Sequence, residues 1–151
     1  MRLAVFEPDI APNLGAMIRL CACLGVPLDV IEPCGFPFSP KALRRSAMDY
    51  ADLAEIAHHD SWRSFIANRH SGRLVLLTTG AAAGLWGFSF RPADTLVVGR
   101  ESAGVPRHVH QNADARLAIP MPGGGRSLNV THAAAIALGE AQRQLSSAGE
   151  P

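Results

Sequence analysis

The stretch from Leu117 to Leu138, L-A-I-P-M-P-G-G-G-R-S-L-N-V-T-H-A-A-A-I-A-L, constrains the fold more than any other part of the chain. Three parts follow one another without a spacer. Leu117 to Ile119 is a short apolar run that Pro120 ends, which fits a buried strand. Pro120 to Gly125 offers no side chain for a core, and three consecutive glycines free the backbone to take positive φ. From Ser127 onward the residues are good helix formers, and the Ser127 hydroxyl can cap that helix. A strand, a glycine-rich turn and a helix start make a wall of backbone N–H groups that a ligand can approach closely. An ordinary strand-to-helix turn has the same composition, so this stretch alone does not decide.

With 151 residues the chain reads as one domain, 1–151, whose last residues, 146–151, look like a frayed tail. An apolar fraction of 48% suits a globular protein, and a formal net charge of +1 gives no global basic field. Any site for a polyanion must therefore be local. Cys21, Cys23 and Cys34 make a poor disulfide framework, and they read as buried reduced thiols. The six histidines show no metal-ligand spacing, and His58, His59, His108 and His110 read as surface groups. Met1 is followed by one arginine and a strand-like run rather than a signal-peptide core, and Leu74 to Phe90 is too broken by glycines and threonines to span a membrane. A soluble cytoplasmic protein is expected.

Arg2 to Phe6 reads as a first buried strand, closed by Pro8 and Pro12. Asn13 opens a helix that ends at Leu24-Gly25, and Leu28 to Ile31 is a second strand. This β-loop-α-β start is that of a parallel crossover unit. Lys41 to Arg45 reads as a short basic helix, with a short strand around Leu53 to Ile56 and a helix over Ser61 to Asn68 capped by Asp60. Arg73 to Thr78 and Thr95 to Val98 are strands, separated by a glycine-rich connection from Gly80 to Pro92. Pro106 suits the first turn of a short helix to about Asn112. Strands alternating with helices predict an α/β single domain, a mainly parallel sheet with helices on both faces.

Glycine-containing loops follow three strands, at Thr79-Gly80, Gly99 to Gly104 and Pro122 to Gly125. Ligands of parallel sheets bind beyond the carboxyl ends of strands. Neither a dinucleotide nor a P-loop fingerprint is present. Few polar residues attend these loops: Asn13 and Arg19 on the first helix, Glu101 between glycines, and Arg126, Ser127 and Asn129 before the last helix. Each also has a bland explanation: a cap for Asn13, a surface arginine for Arg19, a solvated loop carboxylate for Glu101.

Three ordered segments carry a resemblance. They are Asn13-Leu14-Gly15-Ala16-Met17-Ile18-Arg19, Gly99-Arg100-Glu101-Ser102-Ala103-Gly104-Val105-Pro106, and Ile119-Pro120-Met121 through Arg126-Ser127-Leu128-Asn129-Val130. They resemble the motifs of SPOUT (α/β-knot) RNA 2′-O-ribose methyltransferases. The opening Phe6 to Asn13, with Ile31-Glu32-Pro33, Leu43-Arg44-Arg45 and Asp49-Tyr50, is similar to the branch of small bacterial enzymes that methylate the wobble nucleotide of certain leucine tRNAs. Arg100 stands where many relatives carry proline, Ala103 where many carry a basic residue, and Gly123-Gly124-Gly125 where the loop is often more varied.

The resemblance implies a C-terminal trefoil knot, S-adenosylmethionine as methyl donor without a metal, a homodimer whose sites combine both chains, and tRNA as substrate. It implies catalytic roles for Arg19, Asn13 and Asn129, and cofactor contacts from Leu77, Thr78, Gly99, Glu101, Gly104, Ile119, Met121, Ser127 and Leu128. Lys41, Arg44 and Arg45 form the compact basic cluster expected to meet RNA phosphates. Arg19 would either take the 2′-hydroxyl proton or clamp a phosphate and stabilise the oxyanion. Other readings are 2′-O-methylation of rRNA or of another tRNA position, and a non-catalytic RNA- or nucleotide-binding protein.

Overall fold

The computed structural model describes residues 1–37, 39, 41, 45, 47–81 and 83–147. Seven strands form one sheet: β1 (Arg2–Phe6), β2 (Leu28–Ile31), β3 (Ile56–His59), β4 (Leu74–Leu77), β5 (Ala83–Gly84), β6 (Thr95–Val98) and β7 (Ala115–Ala118). Their order is β3-β2-β1-β6-β4-β7-β5, and every pairing is parallel. The chain lays β5 at the far edge, returns to set β6 between β1 and β4, and then sets β7 between β4 and β5. Among the described residues, helices with defined bounds that cover the sheet are α1 (Ala11–Leu24), α2 (Trp62–Asn68), α3 (Arg107–Asn112) and α4 (Val130–Ser147).

Side chains alternate across the strands, so each face has its own core. Leu3 and Val5 of β1 point to the face where Leu14, Met17, Ile18 and Cys21 of α1 meet Ala134, Ala137, Leu138 and Ala141 of α4. Ala4 and Phe6 point to the other face, with Trp62 and Phe65 of α2 and Val109 of α3. Burying one such leucine or phenylalanine side chain is worth about 1.5–3 kcal/mol, so these clusters fix the register of the sheet.

Apart from the basic helix expected over Lys41 to Arg45, which lies mostly outside the described residues, the expected strands and helices are present, with shifted ends. α1 begins at Ala11, two residues before the expected start, because Pro12 fits its first turn and Ile10 is the capping residue. Asn13 is thus inside the helix and is not its cap. The strand expected near Leu53 begins at Ile56, since Met48–Asp52 winds into a 3-10 turn. Ser61, not Asp60, caps α2, its hydroxyl accepting from Ser64 N. The connection after Gly80 contains β5 and a 3-10 turn at Leu85–Gly87. Asn129, not Ser127, caps α4: its Oδ1 accepts from the backbone of Thr131 at 2.9 Å and of His132 at 3.4 Å. α4 runs to Ser147, past the expected start of the frayed tail, while 148–151 lie outside the described residues. Most of the basic segment, residues 42–44 with Arg44, also lies outside them, and Lys41 and Arg45 are exposed. His59 is buried and bonds Asp29 Oδ1 at 2.9 Å beside the Arg2 guanidinium, contrary to a surface placement. Cys23 is exposed rather than buried. Burial pushes the Cys21 thiol up to about 12 and, with Glu32 nearby, the Cys34 thiol to about 11.

Gly72 sets up a test of the sheet's construction. Its φ is +136°, and a Cβ there would lie 1.9 Å from the carbonyl oxygen of Ala93, beside the start of β6. Gly72→Ala is expected to lose about 3 kcal/mol or more of stability, from strain and a backbone clash together. Gly139, in the middle of α4 with nothing within 4 Å of an added Cβ, should behave oppositely. Gly139→Ala is expected to gain about 0.5–1 kcal/mol. Urea unfolding of the two variants checks both signs.

Candidate active site

A cavity of about 500 Å³ opens beyond the carboxyl ends of β4, β6 and β7. This falls within the roughly 300–1,000 Å³ typical of small-molecule sites. Leu77, Thr78 and Thr79 come from the end of β4, Val98 to Val105 from the end of β6, and Ile119, Met121 and Ser127 to Val130 from the stretch after β7. Ile10 and Asn13 close it from the start of α1. Each of Leu77, Thr78, Gly99, Glu101, Gly104, Ile119, Met121, Ser127 and Leu128 lines this one cavity, as do Asn13 and Asn129. Its walls combine apolar side chains, suited to a purine ring, with backbone amides and carboxamides.

The loops are cross-linked by carboxylates and amides. Asn13 Nδ2 donates to Glu101 Oε1 at 3.0 Å, and Asn129 Nδ2 donates to Asn13 Oδ1 at 3.2 Å. Thr131 Oγ1 donates to the carbonyl of Asn13 at 3.3 Å. Asp9 N donates to Glu101 Oε2 at 3.2 Å, and Glu101 N returns a bond to Asp9 Oδ1 at 3.1 Å. Ser102 Oγ also donates to Asp9. The loops after β1 and β6 and the cap of α4 are thereby one connected unit. Asp9 is the member that sequence reading missed. It sits between two prolines, and nothing local signals a partner some ninety residues away.

The glycines act differently from expectation. Of Gly123 to Gly125 only Gly124 has a positive φ, +76°, in a turn where its N–H donates to the Met121 carbonyl at 3.0 Å. Closer packing surrounds Gly99, where a Cβ would lie 2.7 Å from the carbonyl carbon of Gly104.

Burial, and then a hydrogen bond with Asp9, raise the pKa of Glu101, while that bond draws Asp9 down to about 2. The pair thus favours a proton on Glu101. A raised folded-state pKa adds stability below the ordinary carboxylate value, and that stability is lost as pH rises through the raised one. Asp9 works oppositely: its stabilisation is present above the ordinary value and is lost as pH falls toward about 2. Glu101→Gln fixes the neutral form. Its melting temperature is expected to lie above that of the wild type at neutral pH, with the gap closing toward about pH 4. Melting curves across that range check it, and a gap that widens on acidification contradicts the shared proton.

Arg19 is not with the others. It is exposed, one and a half turns or more along α1 from Asn13, and does not line the cavity. Its guanidinium lies 4.8 Å from the centroid of the Tyr50 ring, on the 3-10 turn that packs against α1. Within one chain, Asn13 and Asn129 bond each other and Glu101, and neither bonds Arg19. Arg100, the departure noted in the sequence, donates to Glu7 Oε2 at 3.1 Å and lies over the Phe6 ring. Among the described residues no group of three or more His, Cys, Asp or Glu side chains could hold a metal ion. No helix among them is long and apolar enough to cross a membrane.

A parallel α/β sheet with a cavity for one nucleotide-sized ligand, walled by three loops at the strand ends, defines the class. The chain belongs to the SpoU rRNA methylase family, whose model matches residues 1–139. It is 53% identical over 145 residues, 95% of this chain and 91% of the relative, to the tRNA (cytidine(34)-2′-O)-methyltransferase of Beijerinckia indica. A solved structure described as giving structural insights into the 2-OH methylation of C/U34 on tRNA superposes with a TM-score of 0.90 at 37% identity, covering 97% of this chain and 96% of that one. The SpoU methyltransferase AviRb from Streptomyces viridochromogenes, in complex with AdoMet, superposes with a TM-score of 0.85 at 26% identity, covering 97% of this chain and 61% of that one.

Proposed function

We propose that this methyltransferase moves a methyl group from S-adenosylmethionine to the ribose 2′-oxygen of the wobble nucleotide, cytidine or uridine, of leucine tRNAs. It does so in the cytoplasm, as a homodimer with a C-terminal knot. The convergence of nine sequence-predicted cofactor residues on one cavity, bridged by Asn13, Glu101 and Asn129, carries the reading. The name of the Beijerinckia relative supports the wobble cytidine, and the crossed strand order supports the knot. Leucine tRNA rests on the sequence resemblance.

The donor supplies an activated sulfonium methyl; its carbon–sulfur bond breaks as the carbon–oxygen bond forms. The chain has to hold the ribose in line and stabilise the oxygen as its proton leaves, to Arg19 if that side chain is the base and otherwise to water. Leu77, Ile119 and Leu128 suit an adenine ring, and the backbone at Gly99 and Met121 suits the polar edges of the nucleoside. Ser127 and Asn129, exposed at the rim, suit the ribose. Arginine ordinarily titrates above about 12, so oxyanion or phosphate stabilisation is the role that asks least of Arg19.

The position of Arg19 outside its own cavity supports a dimer in which the partner subunit's Arg19 completes each site. The small residues of α4 add little to this, because Ala134 and Ala137 are buried in the chain's own core. Calorimetry is expected to show S-adenosylmethionine binding in chelator-treated buffer. Mixing Arg19→Ala with a Gly99→Ala chain that does not bind the donor should restore activity, because some mixed dimers regain one intact site. No recovery in the mixture, with both variants dimeric by light scattering, contradicts the shared site.

A further inference from the structure

Fourteen lysines and arginines face thirteen acids, so a surface for a polyanion requires segregated charge. Ion pairs tie Arg2, Arg73, Arg100 and Arg143 to carboxylates. The sequences of α2, WRSFIAN, and α3, RHVHQN, contain no acid. Both helices cover the face opposite α1 and α4, and Trp62 Nε1 donates to Asn112 Oδ1 at 2.9 Å, joining them. Each follows a parallel strand, β3 or β6, so both begin at the carboxyl end of the sheet, where the cavity opens. Arg63 stands in the first turn of α2, and Arg107 and His108 in that of α3, all exposed. Among the described residues neither Arg63 nor Arg107 has a carboxylate partner; exposed Asp60 is the acid nearest Arg63 in sequence, and half-buried Glu101 the one nearest Arg107. Phe6 joins the two helices, with ring centroids 5.8 Å from Trp62 and 6.5 Å from His108. Val105, two residues before Arg107, lines the cavity.

We propose that the strip formed by Arg63 and Arg107 is a second RNA-backbone surface, which holds the stem of the RNA whose loop nucleotide enters the cavity. This rests on reading the chain as a tRNA methyltransferase. The strip is distinct from Lys41 and Arg45, which precede Ala47 in the core cluster of the α1 face. Trp62 beside it is buried, which leaves the small His108 ring as the exposed one in the strip. Arginines at helix starts grip phosphates, and such contacts add affinity, not nucleotide choice.

The test is the double variant Arg63→Gln, Arg107→Gln with full-length leucine tRNA. Its Kd for tRNA is expected to rise about tenfold near physiological salt, and the slope of log affinity against log salt to shrink by about two, at roughly 0.9 per phosphate contact. Turnover at saturating tRNA and affinity for S-adenosylmethionine should stay at wild-type values. An anticodon-loop oligonucleotide without its stem should bind both proteins alike. Arg91→Gln, an exposed cation at the opposite end of the sheet before β6, should change the tRNA Kd less than about twofold. Unchanged tRNA affinity and salt slope in the double variant overturn the strip and leave it to an acidic protein partner. An equal loss in Arg91→Gln overturns it as a net-charge effect, and loss of turnover or donor binding moves these arginines into the reaction site and overturns it too. Salt-dependent tRNA binding lost in the double variant, with no methylation by the wild type, sinks the functional reading while leaving the strip standing.

Discussion

Arg19→Ala is expected to lower methyl transfer by about 10²–10⁴-fold, the range seen when one acid–base or oxyanion group is removed. Affinity for S-adenosylmethionine should change little, because Arg19 does not line the cavity that would hold it. Arg19→Lys separates the possible roles. Lysine keeps the charge but not the planar fork, so a bidentate phosphate clamp should lose most of its rate, and a simple electrostatic contact should keep a fair part. If the side chain acts as base, the pH–rate profile should move to lower pH, since lysine titrates near about 10.4. Near-normal turnover of Arg19→Ala on tRNA would show that the catalytic centre is elsewhere.

Gly99→Ala is expected to abolish donor binding, weakening it by roughly a hundredfold or more, as buried backbone displacements of several kcal/mol do. An added Cβ would lie 2.7 Å from the Gly104 carbonyl carbon and 2.9 Å from Val105 Cγ1. Arg100 and Gly104 exchange two backbone bonds across the same loop, of 3.1 and 2.9 Å, so it cannot open without losing them. Calorimetry reads the loss, and circular dichroism confirms that the sheet survives. Donor affinity within a few-fold of wild type contradicts the placement of the cofactor against this loop.

The parts legible in the sequence were those with a local cause. β1, β2 and β6 fall where short apolar runs stand between turn residues, because strands buried on both faces need nothing else. The ends of α1, α2 and α4 shifted because capping is a competition between neighbours. Asn129 won over Ser127, and Ser61 over Asp60, and composition does not rank such candidates. β5 was missed because two residues against an edge leave no pattern to read. Asn13 and Glu101 were legible as site residues through the resemblance, yet their bond to each other, and Asp9 beneath them, are long-range facts of the fold. The placement of Arg19 on Tyr50, outside the cavity, is also invisible to spacing. Six residues along a helix say which side a group occupies, not which ring or cavity it meets there.

The position of the methyl group is read by incubating the purified protein with S-adenosylmethionine and unmodified leucine tRNA, followed by nuclease mapping and mass spectrometry of the anticodon loop. A gain of one methyl group is expected on the ribose of the wobble cytidine or uridine, absent with Arg19→Ala and with Gly99→Ala. A methyl group on a base or at another tRNA position, or methylation of rRNA fragments in its place, would contradict it.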